Sequence, residues 1–221
     1  MMPPVSWAPP QGRPLRLLCL GAHCDDIEIG CGGAVLRLIE IFPEVACHWV
    51  VFSSNSERRQ EALGSAAAFL QGVPEARRTI AVESFRESYF PWVGADIKDY
   101  FQERLAVQTR PDLIFTHFRD DRHQDHRVVS DLTWNAFRDH MILEYEIPKY
   151  DGDLAAPNLY VALGETIAER KIRLLLEHFS SQRSRRWFDA DTFKGLMRLR
   201  GVESNAPERF AEAFYCRKAV L

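Results

Sequence analysis

Four side chains able to hold a metal or move a proton crowd into one short stretch of this chain. They are His23, Asp25, Asp26 and Glu28, within GAHCDDIEIGCGG at residues 21–33. The stretch continues the apolar run RLLCLGA. Strongly hydrated groups at the end of a buried strand need a partner, because burying an unpaired carboxylate is costly. A metal ion is one such partner. A second cluster, HQDH at 123–126, lies about a hundred residues downstream. A catalytic zinc commonly takes three protein ligands and leaves one position open. His23 and Asp26 sit in a turn after a strand and can converge on one point, and His126 can complete the set. Asp25 is then free beside the metal to take a proton from the attacking water as general base. His123 can face the other side of a substrate carbonyl. As an imidazolium it would stabilise an oxyanion or protonate a leaving amine. Asp125 can hold an imidazole in one tautomer from behind. Two histidines and a carboxylate suit Zn²⁺ and also Fe²⁺.

The elements that must position these groups alternate along the chain. Apolar runs predict strands at Leu15–Gly21, His48–Phe52, Thr79–Val82 and Asp112–Thr116, and helical spacing predicts helices at Ile27–Phe42, Glu57–Leu70, Asp96–Thr109 and Val128–Arg138. Ser53–Ser56 form a polar loop suited to capping the second helix. Farther on, Asn158–Ala162 reads as a strand, Glu165–His178 as an amphipathic helix, Asp191–Arg200 as a helix, and Ala211–Tyr215 as a closing strand or helix end. Strands alternating with helices indicate an α/β protein with a mostly parallel sheet. Ligands of such sheets bind outside the carboxyl ends of the strands, and each polar cluster directly follows a strand.

The same residues carry a family resemblance. His23-Cys24-Asp25-Asp26 followed by Glu28 resembles the A-H-P-D-D-x-E signature of the PIG-L/LmbE-like deacetylases, and His123-Gln124-Asp125-His126 resembles their H-x-D-H motif. Arg58-Arg59-Gln60-Glu61-Ala62 is similar to an R-x-x-E-A segment of that family, and Arg200-Gly201 and Ala211-Glu212-Ala213-Phe214 to its C-terminal R-G and A-E-A-F segments. The resemblance runs in family order from about residue 16 to the end. It implies a Rossmann-like three-layer α/β fold and a zinc-dependent hydrolase removing acetyl groups from N-acetylglucosamine-type sugars. It also implies His23, Asp26 and His126 as metal ligands, Asp25 as base, His123 as the oxyanion or acid group and Arg58 as a substrate contact. Cys24 replaces the proline usual between the first His and Asp. A thiol there does not fix the backbone, and it is expected to point away from the metal.

Bulk properties set the outer bounds. The chain has 221 residues, a net charge of -3 and ordinary hydrophobic content, which excludes a global pull toward nucleic acid or anionic membrane. The Pro-rich residues 1–14 read as a flexible leader and 15–221 as a single domain. No apolar run approaches the roughly 20 residues of a membrane span. Five cysteines in no disulfide or zinc spacing suit reduced thiols in a cytoplasmic protein. The partner implied is a small-molecule amino-sugar conjugate, and a homo-oligomer is possible.

Alternative readings attach to several features. The glycines do not follow the G-x-G-x-x-G spacing of a dinucleotide loop, and His-Cys-Asp-Asp would repel a pyrophosphate; they instead suit tight packing of the helix start. Asp120 and Asp121 read as a solvated loop, with reach to the rim of the site as the alternative. His117 reads as structural, although it stands at a strand end beside the clusters. Glu28 is either a carboxylate behind the site or one favoured by the helix dipole. Tyr89, Phe90 and Trp92 read as core, with Tyr89 or Trp92 as the alternative sugar-stacking surface. Arg183–Arg186 read as a solvated face or a phosphate contact. The readings that compete with an N-deacetylase are a hydrolase of another amide or ester with the same site, and a non-catalytic sugar-binding protein.

Overall fold

A computed structural model describes residues 12–220. The chain runs β1 (Leu15–Gly21), α1 (Asp26–Ile41), β2 (Val45–Val51), α2 (Ser56–Phe69) and β3 (Arg78–Val82). Next come α3 (Gly94–Tyr100), a π turn over Phe101–Leu105 and the single turn α4 (Ala106–Gln108). The expected helix Asp96–Thr109 is therefore interrupted, with Ala106 N–H donating to Phe101 O across the wider turn. β4 (Leu113–His117), α5 (Gln124–Ala136) and β5 (Met141–Tyr145) follow, then β6 (Leu159–Leu163), α6 (Glu165–His178), α7 (Ala190–Glu203) and β7 (Phe210–Cys216).

The strands form one sheet in the order β3-β2-β1-β4-β5-β7-β6. β1, β2, β3, β4 and β5 run parallel to one another, whereas β7 pairs antiparallel with both β5 and β6. Side chains alternate across the sheet as the strand period requires. From β1, Leu15, Leu17 and Cys19 enter one apolar layer with residues of α1, α2 and α6. Leu18 and Leu20 enter the other, with Ile97, Phe101, Leu105 and Val129. Three layers result, as the alternation of elements predicts. β5 was not expected: MILEY is broken by Glu144, which is fully buried and accepts from Arg119, Trp134 and Arg217.

This connectivity places the chemistry. From β1 the chain moves outward to β2 and β3, then returns to β4 on the opposite side of β1. Adjacent β1 and β4 thus form a topological switch point, where a crevice opens at the carboxyl ends. The first polar cluster leaves β1 there, and the second leaves β4.

The expected leader at 1–14 falls largely on residues 1–11, outside the described residues. Arg13 is tied down: its guanidinium donates to both carboxylate oxygens of Asp112 at 2.7 and 2.6 Å. Among the described residues, no helix is long and apolar enough to cross a membrane.

Candidate active site

His23 follows β1 within a tight turn. Its backbone N–H donates to Asp26 Oδ2 at 2.6 Å, which brings the carboxylate beside its own ring. His126 lies in the first turn of α5, and the three side chains converge. His23 Nδ1 is 3.1 Å from His126 Nε2 and 3.3 Å from Asp26 Oδ2, while His126 Nε2 is 3.6 Å from Asp26 Oδ1. Ligand atoms on a tetrahedral metal with bonds of ~2.0–2.2 Å stand about 3.3–3.6 Å apart. The donor set and its spacing therefore fit a small divalent cation, and all three residues are buried. Two imidazole nitrogens facing each other beside a carboxylate make a site that favours positive charge. Accordingly, although burial opposes it, Asp26 and Asp125 raise His23 to about 10, while burial and His117 lower His126 to about 3.

Each of these imidazoles is oriented from behind. Asp125 Oδ2 lies 3.2 Å from His23 Nε2, leaving Nδ1 to face inward. The same carboxylate accepts from Ser88 N–H at 2.6 Å and Phe90 N–H at 3.1 Å. Asp121 Oδ2 lies 2.9 Å from His126 Nδ1, leaving Nε2 to face inward. Expected in a solvated loop, Asp121 is instead 2% exposed; it also accepts from His123 N–H and Lys149 Nζ. Only the neighbouring Asp120 is on the surface. Carboxylates behind ligating histidines fix the tautomer and raise ligand basicity. Asp125 is fully buried and its oxygens are taken up by His23, Ser88 and Phe90, so its geometry is that of a positioning group.

Asp25 stands beside the convergence point as the N-cap residue of α1, yet its side chain makes no capping bond. It accepts from Arg58 Nη2 at 2.8 Å. Burial raises its carboxyl above the ordinary value, and the Arg58 charge opposes that rise. Arg58 reaches it from the first turn of α2, whose N-cap is Asn55 in the predicted polar loop. Arg58 also lies 3.8 Å from Glu87, so two carboxylates engage a guanidinium expected to meet substrate.

His123 caps α5. Its Nδ1 accepts from Asp125 N–H at 3.2 Å, so the ring proton resides on Nε2. Burial and the His23 charge lower its basicity. A neutral Nε2–H donor fits this environment better than the imidazolium expected from sequence. Its ring stands 4.7 Å from that of His23 and 4.6 Å from that of His126, centre to centre.

The remaining expectations divide. Cys24 Sγ donates to Ser53 O at 3.3 Å and points away from the site. Phe90 is buried near His23, but Tyr89 is 41% and Trp92 74% exposed, so those two are surface and not core. Arg183–Arg186 are exposed. Glu28 is fully buried and its carboxylate makes no hydrogen bond, although Ser65 is nearby; burial pushes it well above the ordinary range. It stands in the first turn of α1, the place of the helix-dipole carboxylate of the two expected roles. The glycines permit close approach. A Cβ on Gly30 would sit 2.0 Å from Tyr145 Cδ2, and one on Gly33 would sit 2.8 Å from Glu212 Oε1. Glu212 accepts from Gly33 N–H, Ala34 N–H and Lys171 Nζ, while Lys171 also donates to Ile29 O. That clamp fixes α1 one to two turns past Asp26.

Fold and site together define a three-layer α/β protein with a His/Asp cluster at its switch point. The family described as PIG-L: GlcNAc-PI de-N-acetylase matches residues 18–137, just over half of the chain, and the chain belongs to that deacetylase family. It is 27% identical over 139 residues to the uncharacterized deacetylase YaiS of Escherichia coli (strain K12), covering 60% of this chain and 74% of that one. The N,N'-diacetylchitobiose deacetylase of Pyrococcus horikoshii has the same fold (TM-score 0.62, 19% identity, 90% of this chain and 82% of that chain). So does GalB, the 4-carboxy-2-hydroxymuconate hydratase of Pseudomonas putida KT2440 (TM-score 0.66, 15% identity, 94% of this chain and 98% of that chain).

Proposed function

We propose that this protein is a metal-dependent hydrolase that removes the acetyl group from an N-acetylated amino sugar, such as an N-acetylglucosamine-type conjugate or nucleotide-sugar. The observation that carries the reading is the convergence of His23 Nδ1, His126 Nε2 and the Asp26 carboxylate within 3.1–3.6 Å, beside the Asp25 carboxylate. These three residues would hold Zn²⁺, with Fe²⁺ the alternative. A bound divalent cation would polarise the acetamide carbonyl and make water a better nucleophile.

The chain's own groups do the rest. Asp25 takes a proton from the attacking water and delivers it to the departing amine, so that acetate and free amine result. Arg58 holds Asp25 ionised and aimed. His123 Nε2–H donates to the carbonyl oxygen as negative charge builds on it. Asp125 and Asp121 keep His23 and His126 in the ligating tautomers. Exposed Trp92 and Tyr89, on the loop that supplies the Ser88 and Phe90 N–H groups, offer faces for a sugar ring. The same reading takes residues 15–221 as one catalytic domain, and its buried free thiols suit a cytoplasmic setting.

The test is acetate release from a panel of free, nucleotide-linked and lipid- or thiol-linked N-acetyl sugars, with and without chelator. Activity should vanish with chelator and fall roughly 10²–10⁴-fold in Asp25→Asn. Activity surviving both treatments would sink the mechanism. A second reading keeps the site and changes the substrate to another amide or ester, or to a water addition. It is favoured by the hydratase on this fold, and by a panel in which no acetamide is cleaved although metal binds.

A further inference from the structure

His117 takes no part in the proposed chemistry, yet it is fully buried at the end of β4, against both clusters. Its ring stacks on that of His126, with centroids 3.9 Å apart and planes within 17°. Its Nε2 accepts from Ala22 N–H at 2.9 Å and lies 3.2 Å from Asp26 Oδ2. Tyr145 Oη is also 3.2 Å from that nitrogen, and its hydroxyl donates to Leu20 O at 2.7 Å. One imidazole thus meets the end of β1, the first residue of α1 and the first turn of α5.

Asp26, His117 and His126 form a buried group close enough to be mistaken for a ligand set. The Ala22 N–H argues against this, because it occupies the Nε2 lone pair that a metal would need. The ring proton is then on Nδ1, which is buried without a partner.

We infer that His117 is a positioning residue for the metal centre: its ring backs His126, and its Nε2 pins the β1 end that carries His23. This rests on the metal site proposed above. His117 is fully buried and presents no face to the crevice, so it is not a catalytic residue. Its role is to hold ligands from two distant motifs at one separation.

The test uses Co²⁺ as a spectroscopic probe of the full-length chain, with two variants. His117→Phe keeps a stacking ring and loses the acceptor, whereas His117→Gln keeps an acceptor where Nε2 stood. Removing a residue that orients ligands costs on the order of 10–100-fold in metal affinity. His117→Phe should show that loss and an altered visible absorption band, and His117→Gln should recover most of the affinity. Thermal unfolding of the metal-free proteins separates this from a merely structural role, which would lower the melting temperature and leave the band shape of bound Co²⁺ unchanged. Wild-type affinity and band shape in His117→Phe would overturn the inference while leaving the metal site standing. If His117→Phe does not fold, wild-type Co²⁺ affinity and band shape in a folded His117→Leu chain overturn it equally. A wild-type chain that takes up no Co²⁺ would overturn the metal reading and this inference with it.

Discussion

Asp121→Ala probes the least anticipated part of the site. The carboxylate accepts from His126 Nδ1 at 2.9 Å, His123 N–H at 2.7 Å and Lys149 Nζ at 3.0 Å. Nearby His126 and Lys149 hold it below the ordinary carboxylate range, although burial acts the other way. Without it, the neutral His126 ring is free to place its proton on Nε2, and that form cannot bind a metal. The ring also loses the basicity that the carboxylate lends it. Such a loss is worth about 10–100-fold in metal affinity, or about 1.4–2.7 kcal/mol. Lys149 keeps Asp153 at 2.6–2.8 Å, so no charge is stranded and the fold should persist. Competition for Zn²⁺ against a fluorescent chelator measures the affinity, and acetate release at saturating Zn²⁺ measures what remains. Expected are a Kd raised into that range and a smaller change in kcat. Asp121→Asn, which keeps an acceptor, should fall between. A Kd within about threefold of wild type in Asp121→Ala would refute the tautomer reasoning.

Three other perturbations follow from contacts in the structure. Asp25 must be ionised to act as a base, so activity should rise with pH through its pKa; Arg58→Met removes the charge favouring ionisation and should move the acid limb of kcat/KM up by ~1–3 pH units. An unmoved or lowered limb contradicts the pairing. Lys171→Met strands the buried Glu212 carboxylate and should cost ~3–5 kcal/mol, lowering Tm on the order of 10 °C, while adding Glu212→Leu should recover much of it; a loss under about 1 kcal/mol in urea unfolding argues against the clamp. Glu28 has a folded-state pKa raised by burial, so its contribution is intact below the unfolded value and is lost as pH rises toward the folded one. Glu28→Gln should therefore raise Tm at neutral pH and flatten its fall above about pH 4.5, measured with chelator present; an unchanged slope means Glu28 is not desolvated as the structure shows.

How much of this was legible depends on whether a residue's role is local. The strand, loop and helix around His23 are written in adjacent residues, and β1 runs over the residues that the apolar pattern predicts. The meeting of the clusters was legible too, because βα alternation sends both to the carboxyl edge of the sheet. Asp121 was not. It lies in the charged run HFRDDRHQDHR, which looks solvated, and only the packing of β4, α5 and the 149–153 segment buries it. His117 has a single neighbour-independent clue, its place at a strand end. β5 was hidden by Glu144, since an ion-paired acid in a short strand breaks the apolar signal that marks a buried one.

The orientation of His23 shows why neither motif is a site alone. His23 belongs to the first cluster, but the carboxylate that sets its tautomer, Asp125, belongs to the second. That carboxylate is in turn held by the Ser88 and Phe90 N–H groups, from a loop where Ser88 adopts a positive φ of 66°. A serine rarely takes that conformation without compensation. Here the compensation is a short bond to Asp125, so the exposed Tyr89 and Trp92 of the rim and the inward nitrogen of His23 share one brace. A change in the rim that relaxes Ser88 should therefore be felt, through Asp125, at the inward-facing imidazole of His23.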